Sequence, residues 1–103
     1  MQAMVTTESG NLVFQIAGTL AFEDNKEWRR LAEEMLQKDA AGYILDVTRL
    51  EMVDSAGLGM MLAMKDWAEK RSRRLQLRYD DSSFVGGMFR LAKFDTMFEV
   101  EKI

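Results

Sequence analysis

The sequence predicts a single α/β domain spanning residues 1–103. Short apolar segments alternate along the chain with segments in which apolar side chains recur every three or four positions. The first pattern is typical of strands, and the second is typical of helices that bury one face. A chain of this length forms one domain with a modest core and has no room for a separate catalytic module.

The N-terminal third begins with a predicted hairpin. Segments 4–7 and 12–17 flank Ser9-Gly10-Asn11, and these three residue types favour a tight turn between strands. A helix is expected from near Asp24, because the apolar side chains that follow have helical spacing. These are Trp28, Leu31, Ala32, Met35 and Leu36. One face of this helix is therefore expected to pack on a sheet.

The middle of the chain predicts a buried strand followed by a long helix. Tyr43-Ile44-Leu45 is short, apolar and preceded by Gly42, a residue suited to end the first helix. We expect this central strand to end at Asp46 and a brief connection to follow. The segment Asp54-Ser55-Ala56-Gly57-Leu58-Gly59 then opens a helical pattern that continues to about Arg71.

The C-terminal third predicts a strand, a helix and a short last element. Leu75, Leu77 and Tyr79 alternate with polar residues, which indicates a half-buried strand. A third helix is expected after Ser82 or Ser83, either of which can cap it. Within that helix the pair Gly86-Gly87 costs roughly 1 kcal/mol per glycine relative to alanine. Close approach to the sheet or a break in the helix would each explain it, and residues 97–100 predict a last strand or short helix.

The net charge and the hydropathy pattern argue against two kinds of partner, nucleic acid and the membrane interior. The formal net charge of −3 argues against non-specific electrostatic binding to nucleic acid. A basic cluster lies in the C-terminal half of the second helix and just beyond it, and we interpret it as a solvated helix end in preference to a nucleic-acid patch. Its members are Lys65, Lys70, Arg71, Arg73 and Arg74. No apolar run approaches the roughly 20 residues of a membrane span, and no leader pattern opens the chain, so a cytoplasmic location is expected.

The residue types that are absent exclude several classes of catalytic site and metal site. The chain contains no Cys and no His, which leaves out thiolate nucleophiles, the common zinc sites and a Ser-His pair. No two acidic residues have a recognisable ligand spacing. We therefore expect no enzymatic activity, no cofactor and no metal. A receiver-type role, with Asp46 accepting phosphate, would require further clustered acidic residues to bind magnesium.

The most informative side chain is Ser55. A hydroxyl at a helix N-terminus lies beside free backbone N–H groups and the positive end of the helix dipole, so the position tolerates added negative charge. It is a natural site for phosphorylation. The alternative is structural: Asp54 or Ser55 is simply the N-cap, and Gly57 and Gly59 allow close packing.

The second helix is apolar on two stripes, which suggests a contact beyond the sheet. One stripe contains Leu58, Met61 and Leu62, and the other contains Met60, Ala63, Met64 and Trp67. A helix on an open sheet buries one stripe, so the second must meet a neighbouring helix, stay exposed or meet a partner. We favour a partner. The many methionines suit a surface that repacks on binding, although methionine as core filler is equally expected.

The central segment resembles the signature of the STAS family, the bacterial anti-sigma factor antagonists. The residues that carry the resemblance are Ile44-Leu45-Asp46-Val47-Thr48 and Asp54-Ser55-Ala56-Gly57-Leu58-Gly59, with weaker matches at Gly18-Thr19-Leu20 and Phe94-Asp95-Thr96-Met97-Phe98. The resemblance covers nearly the whole chain and implies a STAS fold, with a mixed sheet of four or five strands packed with α-helices.

The resemblance also implies a mechanism. In the family, an anti-sigma factor that is also a serine protein kinase phosphorylates a serine, which by position is Ser55 here. The unphosphorylated form binds the anti-sigma factor and frees the sigma factor, and a PP2C-type phosphatase resets the switch. We expect the partner-binding surface to contain Thr19, Asp54, Ser55, Gly57, Leu58, Met60 and Met61. The domain is expected to be a monomer or a weak homodimer.

Two positions depart from the family pattern, and one competing function remains open. Ala56 stands where many members have a second hydroxyl residue, and Asp80-Asp81-Ser82-Ser83 replaces the usual Asn and Pro after the fourth strand. The alternative function is a STAS subunit without a phosphorylation cycle that docks in a lipid or anion transport complex. Neighbouring genes would separate the two, because one context contains a kinase and phosphatase and the other contains transporter subunits.

Overall fold

The computed structural model describes residues 1–103 and contains one five-stranded mixed sheet in the order β1-β2-β3-β4-β5. The strands are β1 (Gln2–Glu8), β2 (Asn11–Leu20), β3 (Gly42–Val53), β4 (Leu75–Tyr79) and β5 (Glu99–Lys102). The helices are α1 (Asn25–Gln37), α2 (Ser55–Lys70), α3 (Phe84–Leu91) and the single turn α4 (Phe94–Met97), with a 3₁₀ turn at Phe22–Asp24. The predicted α/β class and the N-terminal hairpin are both confirmed.

All the helices lie on one face of the sheet. Strands β2 to β5 are parallel neighbours in chain order, so right-handed crossovers place every connecting helix on the same side. The ring contacts agree, since Phe14 of β2 meets Trp28 of α1 and Tyr79 of β4 meets Phe89 of α3. One core of buried side chains therefore joins the sheet to α1, α2 and α3.

Strand β3 is much longer than the sequence pattern suggests. We expected the strand to end at Asp46 before a brief connection, but β3 continues to Val53 and leads directly into α2. Its pairing with β2 shifts register between Gln15 and Ala17 and again between Gly18 and Thr19. Each shift inserts an extra residue into β3, so the alternation of buried and exposed side chains is broken there. The prediction of a short strand was wrong for this reason.

Helix α2 buries its second apolar stripe against α1. The indole N–H of Trp28 donates to the backbone carbonyl of Met60 over 3.0 Å, and both residues are buried. Met61 and Met64 are fully buried in the core as well. The expectation that a partner protein covers this stripe was therefore wrong, because the neighbouring helix already does so. These methionines are core residues.

The glycine pair in α3 has two different surroundings. A Cβ on Gly86 would lie far inside contact distance of the Asp80 carbonyl oxygen, so this position must be glycine. A Cβ on Gly87 would meet only the Arg90 Nη2 at 3.6 Å, which is an ordinary contact. Close approach thus explains Gly86, and the approached backbone is the loop after β4. Nothing inside the domain explains Gly87.

The opposite face of the sheet carries no helix and is covered by long polar side chains. The Arg78 guanidinium donates to Glu8 over 2.8 and 3.0 Å and to Glu101 over 2.9 Å. It lies 3.6 Å from Asp46. Since Glu8 is on β1 and Arg78 is on β4, their side chains meet above the middle strands, where Ile44 is buried.

Four members of the basic cluster at the C-terminal end of α2 form ion pairs at the protein surface. Lys65 pairs with Glu69, Lys70 with Asp66, Arg73 with Asp39 and Arg74 with Glu99, over distances from 2.5 to 3.2 Å. This arrangement agrees with a solvated helix end. None of the helices combines the length and apolar character needed to cross a bilayer.

Candidate functional site

The site is built where β3 ends and α2 begins. Asp54 is the N-cap of α2, with extended backbone at φ −90° and ψ 179°. Its carboxylate accepts a hydrogen bond from the Gly57 N–H over 2.7 Å, which satisfies one of the free donors of the first turn. A Cβ on Gly57 would lie 2.5 Å from the carbonyl oxygen of Leu20. The helix can start this close to β2 only because Gly57 has no side chain.

The end of β2 joins the same site. Thr19 lies opposite Met52 in the β2–β3 register, and the Asp54 N–H donates to the Leu20 carbonyl over 3.2 Å. The Phe22 N–H donates to the second oxygen of the Asp54 carboxylate over 3.4 Å. Asp54 therefore connects the turn after β2 to the start of α2.

Ser55 is the first residue of α2 and is exposed. The N–H groups of Ser55 and Ala56 have no intrahelical acceptor, because the helix begins here. They and the helix dipole provide partial positive charge beside the hydroxyl. The neighbouring Asp54 carboxylate, also exposed, contributes a full negative charge. The Ser55 side chain is therefore exposed beside the partial positive charge of the helix start and beside the Asp54 carboxylate.

Two apolar side chains on the segments that meet at Asp54 are exposed, and sequence reasoning missed both. Phe22 is 70% exposed and Met52 is 44% exposed. Phe22 is placed beside the site by its backbone bond to Asp54, and Met52 precedes Asp54 by two residues on β3. The exposure of Met52 follows from the register shifts in β3, which no local pattern reveals. Nothing in the sequence distinguishes Phe22 from a core aromatic residue.

Three of the residues assigned to the partner-binding surface lie inside the domain. Met60 is 6% exposed, Met61 is fully buried, and Gly57 is buried against Leu20. These three assignments were wrong, because α1 and β2 cover that side of α2. Thr19, Asp54 and Ser55 are exposed and Leu58 is half-buried. We use the name "Ser55 surface" below for Thr19, Phe22, Met52, Asp54, Ser55 and Leu58.

Asp46, the alternative phosphoacceptor, is buried in the sheet. One of its carboxylate oxygens accepts from the N–H and the hydroxyl of Thr48 over 2.9 and 2.7 Å. Its other oxygen faces Arg78. Only 6% of the residue is exposed, so its oxygens are engaged within the domain. No group of three or more acidic side chains is arranged there to hold a metal ion.

A one-sided α/β sheet with a serine at the start of the helix after its central strand agrees with a STAS domain, the class that the central motif resembles. The family model described as "Mlab, STAS domain" matches residues 3–100, so the chain belongs to this family. The STAS fold implied by the central motif is confirmed. No curated protein matches the sequence.

Solved structures share the fold at low sequence identity. An anti-sigma factor antagonist from Mycobacterium paratuberculosis is 14% identical with a TM-score of 0.81, covering 96% of this chain and 83% of its own. The phosphorylated form of the Bacillus cell fate determinant SpoIIAA is 17% identical with a TM-score of 0.71, covering 99% and 91%. A sulfate transporter family protein from Wolinella succinogenes is 17% identical with a TM-score of 0.71, covering 95% and 82%.

Proposed function

We propose that this protein is an anti-sigma factor antagonist whose docking is switched by phosphorylation of Ser55, and that it acts in the cytoplasm and is not an enzyme. The unphosphorylated protein binds an anti-sigma factor that is also a serine protein kinase, and this binding releases the sigma factor. A PP2C-type phosphatase removes the phosphate. The observation that carries the proposal is the exposed Ser55 at the start of α2, next to the exposed Asp54. The segments that meet at Asp54 also expose the apolar side chains of Phe22 and Met52.

The apolar part of the Ser55 surface supplies a reason for docking. Phe22 and Met52 expose large apolar groups, and aromatic and methionine side chains are enriched at protein interfaces. When a partner covers them, Ser55 lies inside the closed contact and loses water. A neutral hydroxyl tolerates this environment if it finds a hydrogen-bond partner.

Phosphorylation of Ser55 makes burial of this surface by a partner unfavourable but leaves the fold intact. A phosphate adds about −1.5 to −2 charges at neutral pH. In the free domain the helix dipole offsets this charge by about 0.3–1 kcal/mol. Within a closed interface the phosphate would be desolvated beside Asp54, and an unpaired buried charge costs several kcal/mol. Because about 1.4 kcal/mol corresponds to tenfold in affinity, a hundredfold to thousandfold loss needs no conformational change.

The arrangement of donors at α2 sharpens this argument. The Gly57 N–H is already bonded to Asp54, so only the N–H groups of Ser55 and Ala56 remain for a phosphate. The Asp54 carboxylate therefore both caps the helix and supplies the like charge that opposes burial of the modified serine. Asp54→Asn separates these roles, because it keeps an oxygen that can cap the helix but removes the charge.

Titration of two Ser55 variants against the cognate anti-sigma factor tests the proposal. Ser55→Ala should bind permanently, and Ser55→Asp should bind about a hundredfold more weakly. Ser72→Asp is the matched control, because Ser72 is an exposed serine just beyond the opposite end of α2. It should bind like the wild type. Equal affinities of the two Ser55 variants would contradict the switch.

Incubation with the kinase and ATP, followed by mass spectrometry, tests the site of modification. The phosphate is expected on Ser55, which is exposed. Phosphate on Asp46 would support the receiver-type alternative and overturn the assignment, although Asp46 is bonded within the sheet. The phosphorylated protein should be a substrate of a PP2C-type phosphatase.

A second candidate function is a non-switching STAS subunit of a lipid or anion transport complex. The similarity to a sulfate transporter family protein favours it, because that protein has the same fold over 95% of this chain. In this role the same surface docks constitutively. Purification with transporter subunits, together with equal binding of Ser55→Ala and Ser55→Asp to them, would support this function over the switch.

A further inference from the structure

Helix α3 exposes an apolar stripe that the proposed function does not use. Phe84, Gly87, Met88 and Leu91 follow helical spacing along one side of the helix. Phe84 is 66% exposed and Leu91 is 88% exposed. On the other side of α3, Val85 and Phe89 are buried in the core. The helix is therefore apolar on both sides, and the domain covers only one of them.

Gly87 makes a notch in this stripe. The groove there has a volume of about 520 Å³ and is lined by Ser83, Phe84, Gly87, Met88, Arg90 and Leu91. A glycine in a helix interior costs about 1 kcal/mol relative to alanine. No contact within the domain requires Gly87, whereas Gly86 is required by the Asp80 carbonyl. The lack of a side chain at Gly87 leaves space on the outer side of the helix, where another backbone or side chain can approach.

The charges at the two ends of α3 are opposite. Asp80 and Asp81 precede the helix, and Arg90 and Lys93 lie at its end. Arg90 is paired with Asp81 over 2.7 Å, whereas Lys93 is exposed and makes no ion pair within the chain. Two such helices placed antiparallel bring the acidic end of each one next to the basic end of the other.

We propose that α3 is a self-association surface, on which a second copy of this chain packs its own α3 antiparallel across a two-fold axis. In this arrangement Gly87 of each copy faces Met88 of the other, so the flexible methionine fills the notch. Phe84 faces Leu91, and Lys93 lies beside the acidic loop of the second copy. The contact is self-complementary in shape and charge, as an isologous interface requires.

The contact is small, so the pair should be transient. An eight-residue helix is about 12 Å long, and its contact falls below the size of a standard stable interface. Association should therefore appear only at high protein concentration. It should also be independent of Ser55, since none of the residues named for it belongs to the Ser55 surface.

Sedimentation velocity over a concentration series tests the proposal. The wild type should shift toward the mass of two chains as its concentration rises from about 10 µM to about 1 mM. Leu91→Glu should weaken the association by at least about tenfold, because burial of a leucine is worth that factor in an equilibrium constant. The control Phe22→Glu, another exposed apolar residue, should associate like the wild type. A monomer throughout the range, or association unchanged by Leu91→Glu, overturns the proposal.

Cross-linking tests the orientation, and the chain suits this because it contains no cysteine. A mixture of Phe84→Cys and Leu91→Cys proteins, treated with a short bismaleimide, should yield mainly mixed pairs. Phe84→Cys alone should cross-link poorly, because the two copies of position 84 lie at opposite ends of the antiparallel contact. Self-linking of either variant that is as efficient as the formation of mixed pairs, as a parallel arrangement or a random encounter would give, contradicts the proposed geometry.

Discussion

The N-terminal ends of α2 and α3 are built in the same way but present different residues. In each, a cap residue accepts a hydrogen bond from the N–H of a glycine three positions later: Asp54 from Gly57 over 2.7 Å, and Ser83 from Gly86 over 2.9 Å. In each, that glycine is pressed against a backbone carbonyl, of Leu20 or of Asp80. The local construction is therefore a way to start a helix close to other backbone.

The residue that follows the cap differs between the two ends. In α2 it is Ser55, beside the charged Asp54, and in α3 it is Phe84, after the neutral Ser83. One end therefore presents a polar hydroxyl, the group that we propose is phosphorylated, and the other presents an apolar ring. The comparison teaches that the cap and the glycine position each helix, whereas the exposed first residue determines which kind of surface the helix offers.

The largest expected effects come from filling the space at the two cap glycines. Gly57→Ala and Gly86→Ala each place a Cβ far inside the contact distance of a carbonyl oxygen. Each should lower the free energy of unfolding by about 2–3 kcal/mol. Chemical denaturation measures this. If only one of the two variants is destabilised, the two helix starts are not equivalent.

Removal of the cap side chains should have a smaller effect. Asp54→Ala and Ser83→Ala each leave the glycine N–H without its acceptor and should cost about 1–2 kcal/mol. The decrease in melting temperature gives the structural cost of each substitution.

The Asp54→Asn variant retains an oxygen that can cap the helix but removes the charge. Comparing its melting temperature with its rate of Ser55 phosphorylation separates capping from positioning of the kinase, and a loss in the rate alone would assign Asp54 to the kinase.

Each helix contains a second glycine, Gly59 in α2 and Gly87 in α3, and replacing it with alanine should raise the free energy of unfolding. A Cβ on Gly59 has no neighbour within 4 Å, and one on Gly87 makes only an ordinary contact. Alanine at either position should stabilise the domain by about 0.5–1 kcal/mol, because it favours the helix. For Gly87→Ala, self-association should weaken while the melting temperature rises. A destabilised Gly87→Ala would show that the glycine has a role inside the domain.

Lowering the pH should destabilise the loop before α3, because Asp80 becomes protonated. This is the smallest of the expected effects. Hydrogen bonds from the hydroxyl and the N–H of Ser82 lower the pKa of Asp80. A lowered pKa in the folded state stabilises the fold above the unfolded value of about 4, and the contribution is lost as the pH falls through the lowered pKa. NMR titration of the Asp80 carboxyl should locate its midpoint below that value. A midpoint at or above it would contradict the role of Ser82.

Much of the fold follows from local patterns, and the exceptions have physical causes. The hairpin, α1, the extent of α2 and strand β4 were predicted from period and turn chemistry and are confirmed. Strand β3 was cut short because its two register shifts place Val47, Leu50 and Val53 three residues apart, a spacing that does not indicate a strand. Such shifts depend on pairing with β2, which the sequence of β3 alone does not contain.

The site was predicted in part. The placement of Asp54 and Ser55 followed from the helix start, whereas the assignment of Met60 and Met61 to the surface failed because it required knowing that α1 packs on α2. Conversely, Phe22 and Met52 were missed because their exposure depends on tertiary geometry. Local chemistry identified the switch candidate, and long-range packing determined which apolar residues surround it.

The most direct test of the central claim is the affinity of the partner for the domain carrying phosphate on Ser55. Calorimetric titration of the cognate anti-sigma factor with the unmodified and the fully phosphorylated domain compares them in one assay. We expect about a hundredfold to a thousandfold weaker binding after phosphorylation, with a melting temperature close to that of the unmodified domain. Affinities within about twofold of each other would contradict the claim, since that ratio is far below the cost of a buried like charge.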